Sequence, residues 1–144
     1  MPTVAYAKPH LEYRKSAVGG ASPVGLVVML YDGALRFMER GKIAIAAHDL
    51  AAQNEALQKA QRIVLELMGA LDMRKGGEIA QNLLGLYGFV LSELVAANTD
   101  DDATRVDNAV QTMTELRAGW AELESRTVAS VEGAIKPGSL IHAA

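Results

Sequence analysis

Cysteine is absent from this chain of 144 residues, which excludes disulfide frameworks, thiolate nucleophiles and cysteine-ligated metal sites. Aromatic residues make up only 5% of the sequence, a composition that argues against a sheet protein. The chain is instead rich in alanine and leucine, which favour helix. We therefore expect a single domain of the all-α class, and the lack of cysteine fits a reducing compartment.

An excess of positive charge is also missing. The 14 Lys and Arg residues are scattered along the chain and the formal net charge is −3, so we expect no nucleic-acid partner. The N-terminus lacks the apolar core of a secretion signal, because Tyr6, Lys8, His10, Glu12 and Arg14 interrupt it. A cytoplasmic location is the simplest expectation.

Catalytic and metal-binding motifs are equally scarce. A di-iron bundle requires Glu-x-x-His on two helices, and no Glu in this chain has a His three residues later. The adjacent pair His48 and Asp49 could suggest general-base chemistry, but no nucleophile accompanies it and a turn with a helix cap explains both residues. We expect no enzymatic activity, no cofactor and no bound metal.

Apolar residues at three- and four-residue spacing, with capping residues before them, predict four helices. The predicted spans are approximately 23–47, 49–72, 79–97 and 103–124. Short connections favour antiparallel neighbours, so the expected fold is an antiparallel up-down-up-down four-helix bundle. The chain then divides into an N-terminal arm, the bundle and a loosely held C-terminal tail, at residues 1–22, 23–124 and 125–144.

The third predicted helix is unusually apolar, because Glu93 is its only charged residue between Ile79 and Ala97. It is long enough to test as a membrane span, but a continuous polar arc that includes Gln81 and Ser92 argues against that, and we expect no span. Its apolar surface covers roughly half of the helix. One bundle core uses less, so the surplus is expected to face another helix, a second copy of the chain or a partner.

Several motifs, in order and spacing, resemble those of the flagellar secretion chaperone FliS family. The match begins with Ala21-Ser22-Pro23 and Met29-Leu30-Tyr31-Asp32-Gly33-Ala34, and it continues with Leu71-Asp72-Met73, Gly76-Gly77-Glu78-Ile79-Ala80, Asn82-Leu83 and Leu86-Tyr87. Ala60, Ala97-Asn98 and Trp120 agree as well. The resemblance covers about residues 13 to 124.

The resemblance implies a cytoplasmic export chaperone. Such a protein binds the C-terminal segment of flagellin in apolar grooves on a helical bundle, prevents premature polymerisation and assists delivery to the flagellar type III export apparatus. It also implies an N-terminal arm with tyrosines that can lie on the bundle. The alternative from the residues alone is a homodimeric helical scaffold or regulatory protein whose surplus apolar face is an oligomer interface.

Candidate partner-binding residues come from this resemblance and from the apolar third helix. They are Tyr6, Tyr13, Tyr31, Asp32, Asn82, Leu83, Leu84, Leu86, Tyr87, Val90, Leu91, Leu94 and Val95. One division of the third helix makes a groove wall of Leu84, Tyr87, Leu91 and Val95, and leaves Ile79, Leu83, Leu86 and Val90 to the core. Asp32 and Asn82 could hold the arm or a cargo backbone group, or could form hydrogen bonds within the bundle. The tyrosines at 31 and 87 could serve either the core or a partner.

Overall fold

The computed structural model describes residues 22–126, which form four α-helices and no strand. We name these helices α1 (Pro23–Ala46), α2 (Leu50–Gly69), α3 (Met73–Asp100) and α4 (Ala103–Glu124). The prediction of an all-α four-helix bundle is confirmed. Residues 1–21 of the expected N-terminal arm and residues 127–144 of the expected C-terminal tail lie outside this range. The division into arm, bundle and tail therefore stays a prediction.

Each helix starts at a capping side chain that satisfies an otherwise free backbone N–H group. Ser22 Oγ accepts from the Gly25 N–H at 3.0 Å, and the proline that follows occupies the first helical position. Asp49, Asp72 and Asp102 cap the other three helices in the same way. For the second helix the sequence offered Asp49 or Asn54 as the cap, and the structure shows Asp49.

The start of α3 differs from the sequence prediction, which placed the break between the second and third helices at residues 74–77. Helix α2 already ends at Gly69, and Asp72 Oδ1 accepts from the N–H groups of Arg74 and Lys75 at 3.1 and 3.0 Å. That cap starts a helical turn before the glycines. Gly77 then interrupts the turn with φ 52° and ψ −128°, a conformation that glycine adopts without steric cost.

Around the bundle, α1 and α3 each pack against α2 and α4, and they face one another across the core. Near the end of α1, Lys42 Nζ lies 2.7 Å from Asp107 Oδ1 near the start of α4. Near the end of α3, Glu93 pairs with Arg105, also near the start of α4. The C-terminal parts of α1 and α3 therefore lie beside the N-terminal part of α4, as an up-down-up-down order requires.

The closest helix approach is between α1 and α2 at Gly41. A Cβ atom at this position would lie 2.4 Å from Leu57 Cδ2 and 2.9 Å from Leu57 Cγ, and Leu57 is fully buried. Gly33 approaches Ile63 of α2 less closely, at 3.3 Å from the ideal Cβ. The missing side chains at these two glycines thus let α1 and α2 approach closely at two places.

Within residues 22–126, α3 is the one helix long and apolar enough to pass a length-and-composition test for a membrane span. Core helices of soluble bundles pass the same test. Helix α3 packs between α2 and α4, and Glu93, the one charged residue between Ile79 and Ala97, is buried in an ion pair with Arg105. We interpret α3 as a bundle helix, and the expected absence of a membrane span stays a prediction.

Candidate partner-binding surface

Helix α3 turns one continuous row of side chains into the bundle. Its buried apolar residues are spaced three and four apart, the period of one helix face, and they are Ala80, Leu83, Tyr87, Val90, Leu94 and Ala97. The remaining large apolar side chains are therefore left on the two sides of this row. We call them the α2-side flank and the α4-side flank, according to the neighbouring helix that each approaches.

The α2-side flank consists of Leu84, Leu91 and Val95. With Gly88 between them they follow one helical row that ends at Asn98, whose side-chain N–H donates to Asn54 Oδ1 of α2 at 2.9 Å. Leu84 and Val95 are 38% and 51% exposed, and Leu91 is half-buried. A row of apolar atoms thus stays open to solvent beside α2.

The facing edge of α2 runs antiparallel to this flank from the same Asn54–Asn98 contact. Its row begins at Asn54 and continues through Gln58, Gln61, Leu65 and Met68. Leu65 is exposed and Met68 half-buried. The α2–α3 groove therefore combines apolar side chains with two amide groups that can both donate and accept hydrogen bonds.

A buried polar cluster closes one end of this groove. Gln53 is 1% exposed, and its Nε2 donates to Asn98 O, Asn98 Oδ1 and Asp101 Oδ1 at 3.3, 3.2 and 2.8 Å. Asp101 ends α3 in the left-handed conformation with φ 53°. These contacts fix the register of α2 against α3, and hence the spacing of the two rows that line the groove.

The α4-side flank consists of Ile79, Asn82, Leu86 and Phe89. The row ends at Glu93, whose Oε2 accepts from Arg105 at 3.1 Å and whose Oε1 accepts from Asn108 of α4 at 2.8 Å. All four members are exposed, with Ile79 at 61% and Phe89 at 45%. A second apolar surface therefore lies along α3, on the side away from α2.

Three aromatic side chains from three helices meet in the core. The hydroxyl oxygens of Tyr31 and Tyr87 lie 2.7 Å apart, and Trp120 Nε1 donates to the Tyr31 hydroxyl at 3.1 Å. Burial raises the pKa of Tyr31 to about 12 and also raises the pKa of Tyr87. The two tyrosines are at most 1% exposed, so they join α1, α3 and α4 rather than present a surface.

Asp32 lies beside this core on the α1–α4 side. It accepts hydrogen bonds from Arg117 of α4, at 3.4 Å for Nη2 to Oδ2 and closer for Nε to Oδ1. The hydrogen bond that Arg117 donates to Asp32, and then the negative charge of Asp32, raise the pKa of Arg117. Of the two roles open for Asp32, the structure shows the bond within the bundle.

The structure thus separates the predicted partner-binding residues into three groups. Buried in the core are Tyr31, Leu83, Tyr87, Val90 and Leu94. At least partly accessible are Asp32, Asn82, Leu84, Leu86, Leu91 and Val95. Outside residues 22–126 are Tyr6 and Tyr13.

Three positions in the division of α3 into core and groove wall need correction. Tyr87 belongs to the core, where its hydroxyl pairs with Tyr31, and Leu86 lies on the surface. Ile79, which that division also gave to the core, is exposed. The reason is that Tyr87 bonds to Tyr31, and Asn98 bonds to Gln53 and Asn54 of α2, so the core face of α3 is centred closer to Tyr87 and the row of Ile79 and Leu86 is left outside.

Sequence reasoning missed Phe89 and Leu65, two of the more exposed apolar side chains on the two surfaces. For Phe89 a signal was present, because it continues the row of Asn82 and Leu86 at the helical spacing. No comparable signal marked Leu65, which becomes a groove residue only through the Asn54–Asn98 contact between α2 and α3.

The sequence of this chain is similar to those of proteins from one known family. A family model described as "Flagellar protein FliS" matches residues 6–127. The chain is 36% identical to the flagellar secretion chaperone FliS of Salmonella typhimurium over 123 residues, which cover 85% of this chain and 89% of the relative. It is 35% identical to the protein of the same name from Campylobacter jejuni, with coverage of 78% and 88%. The corresponding Bacillus subtilis protein is 30% identical, with coverage of 83% and 88%.

Proposed function

The chain belongs to the FliS family of flagellar secretion chaperones, and from this premise we propose that it binds the C-terminal segment of flagellin in the cytoplasm. Binding masks that segment and prevents premature polymerisation, and the complex is then delivered to the flagellar type III export apparatus. The single observation that supports this most strongly is the pair of apolar flanks on α3, which no other described helix covers.

The dimensions of the flanks suit a chain segment better than a small molecule. From Ile79 to Val95 the exposed apolar residues extend over roughly 24 Å of helix, at about 1.5 Å per residue. A disordered segment that folds on binding loses conformational entropy, and it needs a long apolar surface to offset that loss. An amphipathic helix laid along α3 would bury its anchors on such rows.

The α2–α3 groove also fits extended stretches of cargo. Gln58 and Gln61 are amides on a surface otherwise made by Leu84, Leu91 and Leu65. Their amides can bond the backbone N–H and C=O groups of a bound strand, which would otherwise be buried without partners. We infer that cargo contacts both flanks, because each alone is a narrow strip.

This function requires no catalysis. The relatives are named chaperones, and within residues 22–126 no three His, Cys, Asp or Glu residues come together as a metal site would need. We propose that the protein is not an enzyme and that it acts by capture and masking alone, without a cofactor.

Co-purification tests the cargo assignment. Flagellin with its C-terminal segment is expected to form a one-to-one complex with this protein, and flagellin without that segment is expected to elute alone. If both flagellins bind equally, capture through the C-terminal segment is wrong. If neither binds, flagellin is not the cargo.

The exposed flanks also favour a second candidate, in which two copies of this chain cover each other's apolar residues. Light scattering of the free protein distinguishes the two. A dimer that becomes a monomer in Leu84→Glu/Val95→Glu, with cargo affinity unchanged, would assign that flank to oligomerisation. Tyr87→Glu is unsuitable for this test, because it would place a charge in the core.

A further inference from the structure

Basic side chains gather around one aromatic ring on the face formed by α1 and α2. Arg40 Cζ lies 5.3 Å from the centre of the Phe37 ring, and Lys59 Nζ of α2 lies 5.5 Å from the same centre. Arg36 precedes Arg40 by about one turn on α1, and Arg62 follows Lys59 by about one turn on α2. We call these five residues the basic cluster.

Little negative charge balances this cluster. Lys59 pairs with Glu55 at 3.1 Å, whereas Arg36, Arg40 and Arg62 form no ion pair with any residue of the part of the chain that the structure describes. Other acidic residues nearby are already engaged: Glu39 approaches Lys42 at 3.9 Å, and the buried Glu66 has an interaction of its own. Two cations on one ring repel each other, so an anionic partner would lower the energy of this face.

Apolar side chains continue the row of arginines on α1. Met29, Arg36, Arg40 and Ile43 follow one another at helical spacing, and all four are exposed, Ile43 by 63%. A surface with arginines in its centre and apolar groups at both ends matches a segment whose carboxylates alternate with apolar residues. Arginine and methionine are also enriched in protein interfaces, in contrast to lysine.

We propose that the basic cluster, with Met29 and Ile43, binds an acidic amphipathic segment of a second protein partner. The flanking apolar residues favour such a segment over nucleic acid, whose phosphate backbone would leave them unpaired. Helix α1 lies across the core from α3. The arginines of α1 therefore lie opposite the α4-side flank, and the α2–α3 groove lies on the neighbouring face of the bundle. The partner and a cargo contact different surfaces, and both can bind at once. This proposal does not rest on the flagellin assignment.

A designed peptide probes this surface in the full chain. The probe is a fluorescein-labelled peptide of about 18 residues, roughly five helical turns, with Glu and Leu at alternating three and four spacing. Fluorescence anisotropy compares the unmodified protein with Arg36→Gln/Arg40→Gln and with the matched control Arg74→Gln/Lys75→Gln. The control removes the same charge from exposed residues at the start of α3.

We expect the Arg36→Gln/Arg40→Gln variant to bind the peptide about tenfold more weakly, and the control to change by about twofold or less. A peptide with Gln in place of Glu should bind neither protein measurably. Because both arginines are exposed, the circular dichroism melting curve should not change.

Three outcomes would overturn the proposal. Equal weakening in both double variants would mean that only net charge matters. Tighter binding of phosphatidylglycerol vesicles than of the peptide, lost with Arg36 and Arg40, would assign the cluster to a membrane surface. The same result with a short oligonucleotide would assign it to nucleic acid. If the Arg36→Gln/Arg40→Gln variant still binds flagellin but no longer binds the acidic peptide, the basic cluster and the cargo site are separate surfaces.

Discussion

Tyr31 is the centre of a buried hydrogen-bond network that joins three helices. Its hydroxyl meets that of Tyr87 at 2.7 Å and accepts from Trp120 Nε1 at 3.1 Å, so one oxygen connects α1, α3 and α4. An unsatisfied polar group in a core costs about 1 to 3 kcal/mol, more than the net gain from making the bond. The central member of such a network should therefore matter more than a terminal one.

We expect Tyr31→Phe to lower the free energy of unfolding by about 1 to 3 kcal/mol, because it strands the N–H of Trp120 and the hydroxyl of Tyr87. Tyr87→Phe leaves the Trp120–Tyr31 bond in place and should cost about 1 kcal/mol. Urea unfolding followed by the fluorescence of the single tryptophan measures both. Equal losses would show that the hydroxyl of Tyr31 is not the centre of the network.

The same tyrosines predict a pH dependence at high pH. Burial raises the pKa of Tyr31 from 10.0 to about 12 and raises that of Tyr87, whereas the unfolded chain ionises near 10. The folded state keeps protons that the unfolded state loses. The resulting stability is fully present below pH 10 and is lost as the pH rises toward 12 and beyond, by about 1.4 kcal/mol per pH unit for each tyrosine.

Urea midpoints between pH 9 and 12 check this expectation against Tyr31→Phe/Tyr87→Phe as the control. The double variant keeps every Lys and Arg, so their titration cancels in the comparison. Its stability should fall less steeply above pH 10 than that of the unmodified protein. Parallel curves for the two proteins would contradict a raised pKa at this pair.

At the scale of elements, the approach of α1 to α2 depends on the missing side chain at residue 41. The ideal Cβ there would meet Leu57 at 2.4 Å, and Leu57 is enclosed on all sides. Gly41→Ala should destabilise the protein by about 1 to 3 kcal/mol through overpacking, despite the better helix propensity of alanine.

Gly85 on α3 provides the matched control. It is exposed, and a Cβ there meets nothing within 4 Å. Gly85→Ala should therefore stabilise the protein by about 0.5 to 1 kcal/mol through helix propensity. Thermal melting of both variants measures the contrast. A melting temperature that rises in both would mean that Leu57 can move aside and that the close approach is not needed.

How far the sequence predicted the elements depends on whether the signal is local. Helix α4 was predicted at its observed bounds, because its apolar spacing and the acidic cap before it are both local patterns. The start of α3 was missed by several residues. The two glycines at 76 and 77 indicate a break between helices, whereas in the structure Asp72 caps a turn before them and Gly77 interrupts the helix with a positive φ.

The candidate surface was predicted less well than the fold, and for a physical reason. Periodicity indicates that α3 has more apolar surface than a core needs, but it does not set the rotation of the helix. That rotation depends on Glu93 with Arg105 and on Asn98 with Gln53, which are contacts between separate helices. Tyr87 and Leu86 consequently exchanged places between wall and core.

At the scale of the whole molecule, two different surfaces lie on separate faces of one bundle. The α3 side is apolar along Leu84, Val95, Leu86 and Phe89, whereas the α1–α2 side is basic in a chain of net charge −3. Basic residues that are scattered in sequence become neighbours once α1 and α2 pack. With separate surfaces, a cargo on α3 and a second partner on α1 and α2 can bind at the same time, as we propose.

The stability of the bundle depends least on the flank residues that are most open to water, which are Ile79, Val95 and Phe89 at 61%, 51% and 45% exposed. Exchange of one of them for a charged residue should therefore leave folding nearly unchanged, within about 0.5 kcal/mol. Cargo affinity, by contrast, depends on apolar area that water leaves on binding, and a buried unpaired carboxylate would oppose it strongly. The two properties can be measured apart.

The most direct test is calorimetric titration of the flagellin C-terminal segment into Leu84→Glu/Val95→Glu and Leu86→Glu/Phe89→Glu, with Ile43→Glu on α1 as the control. Each flank variant should lose at least about 2 kcal/mol of binding free energy, or about thirtyfold in affinity, while its circular dichroism spectrum shows that it remains folded. Ile43→Glu, at an apolar and even more exposed position that is remote from α3, should bind as the unmodified protein does. Unchanged affinity in both flank variants would contradict capture of cargo on α3.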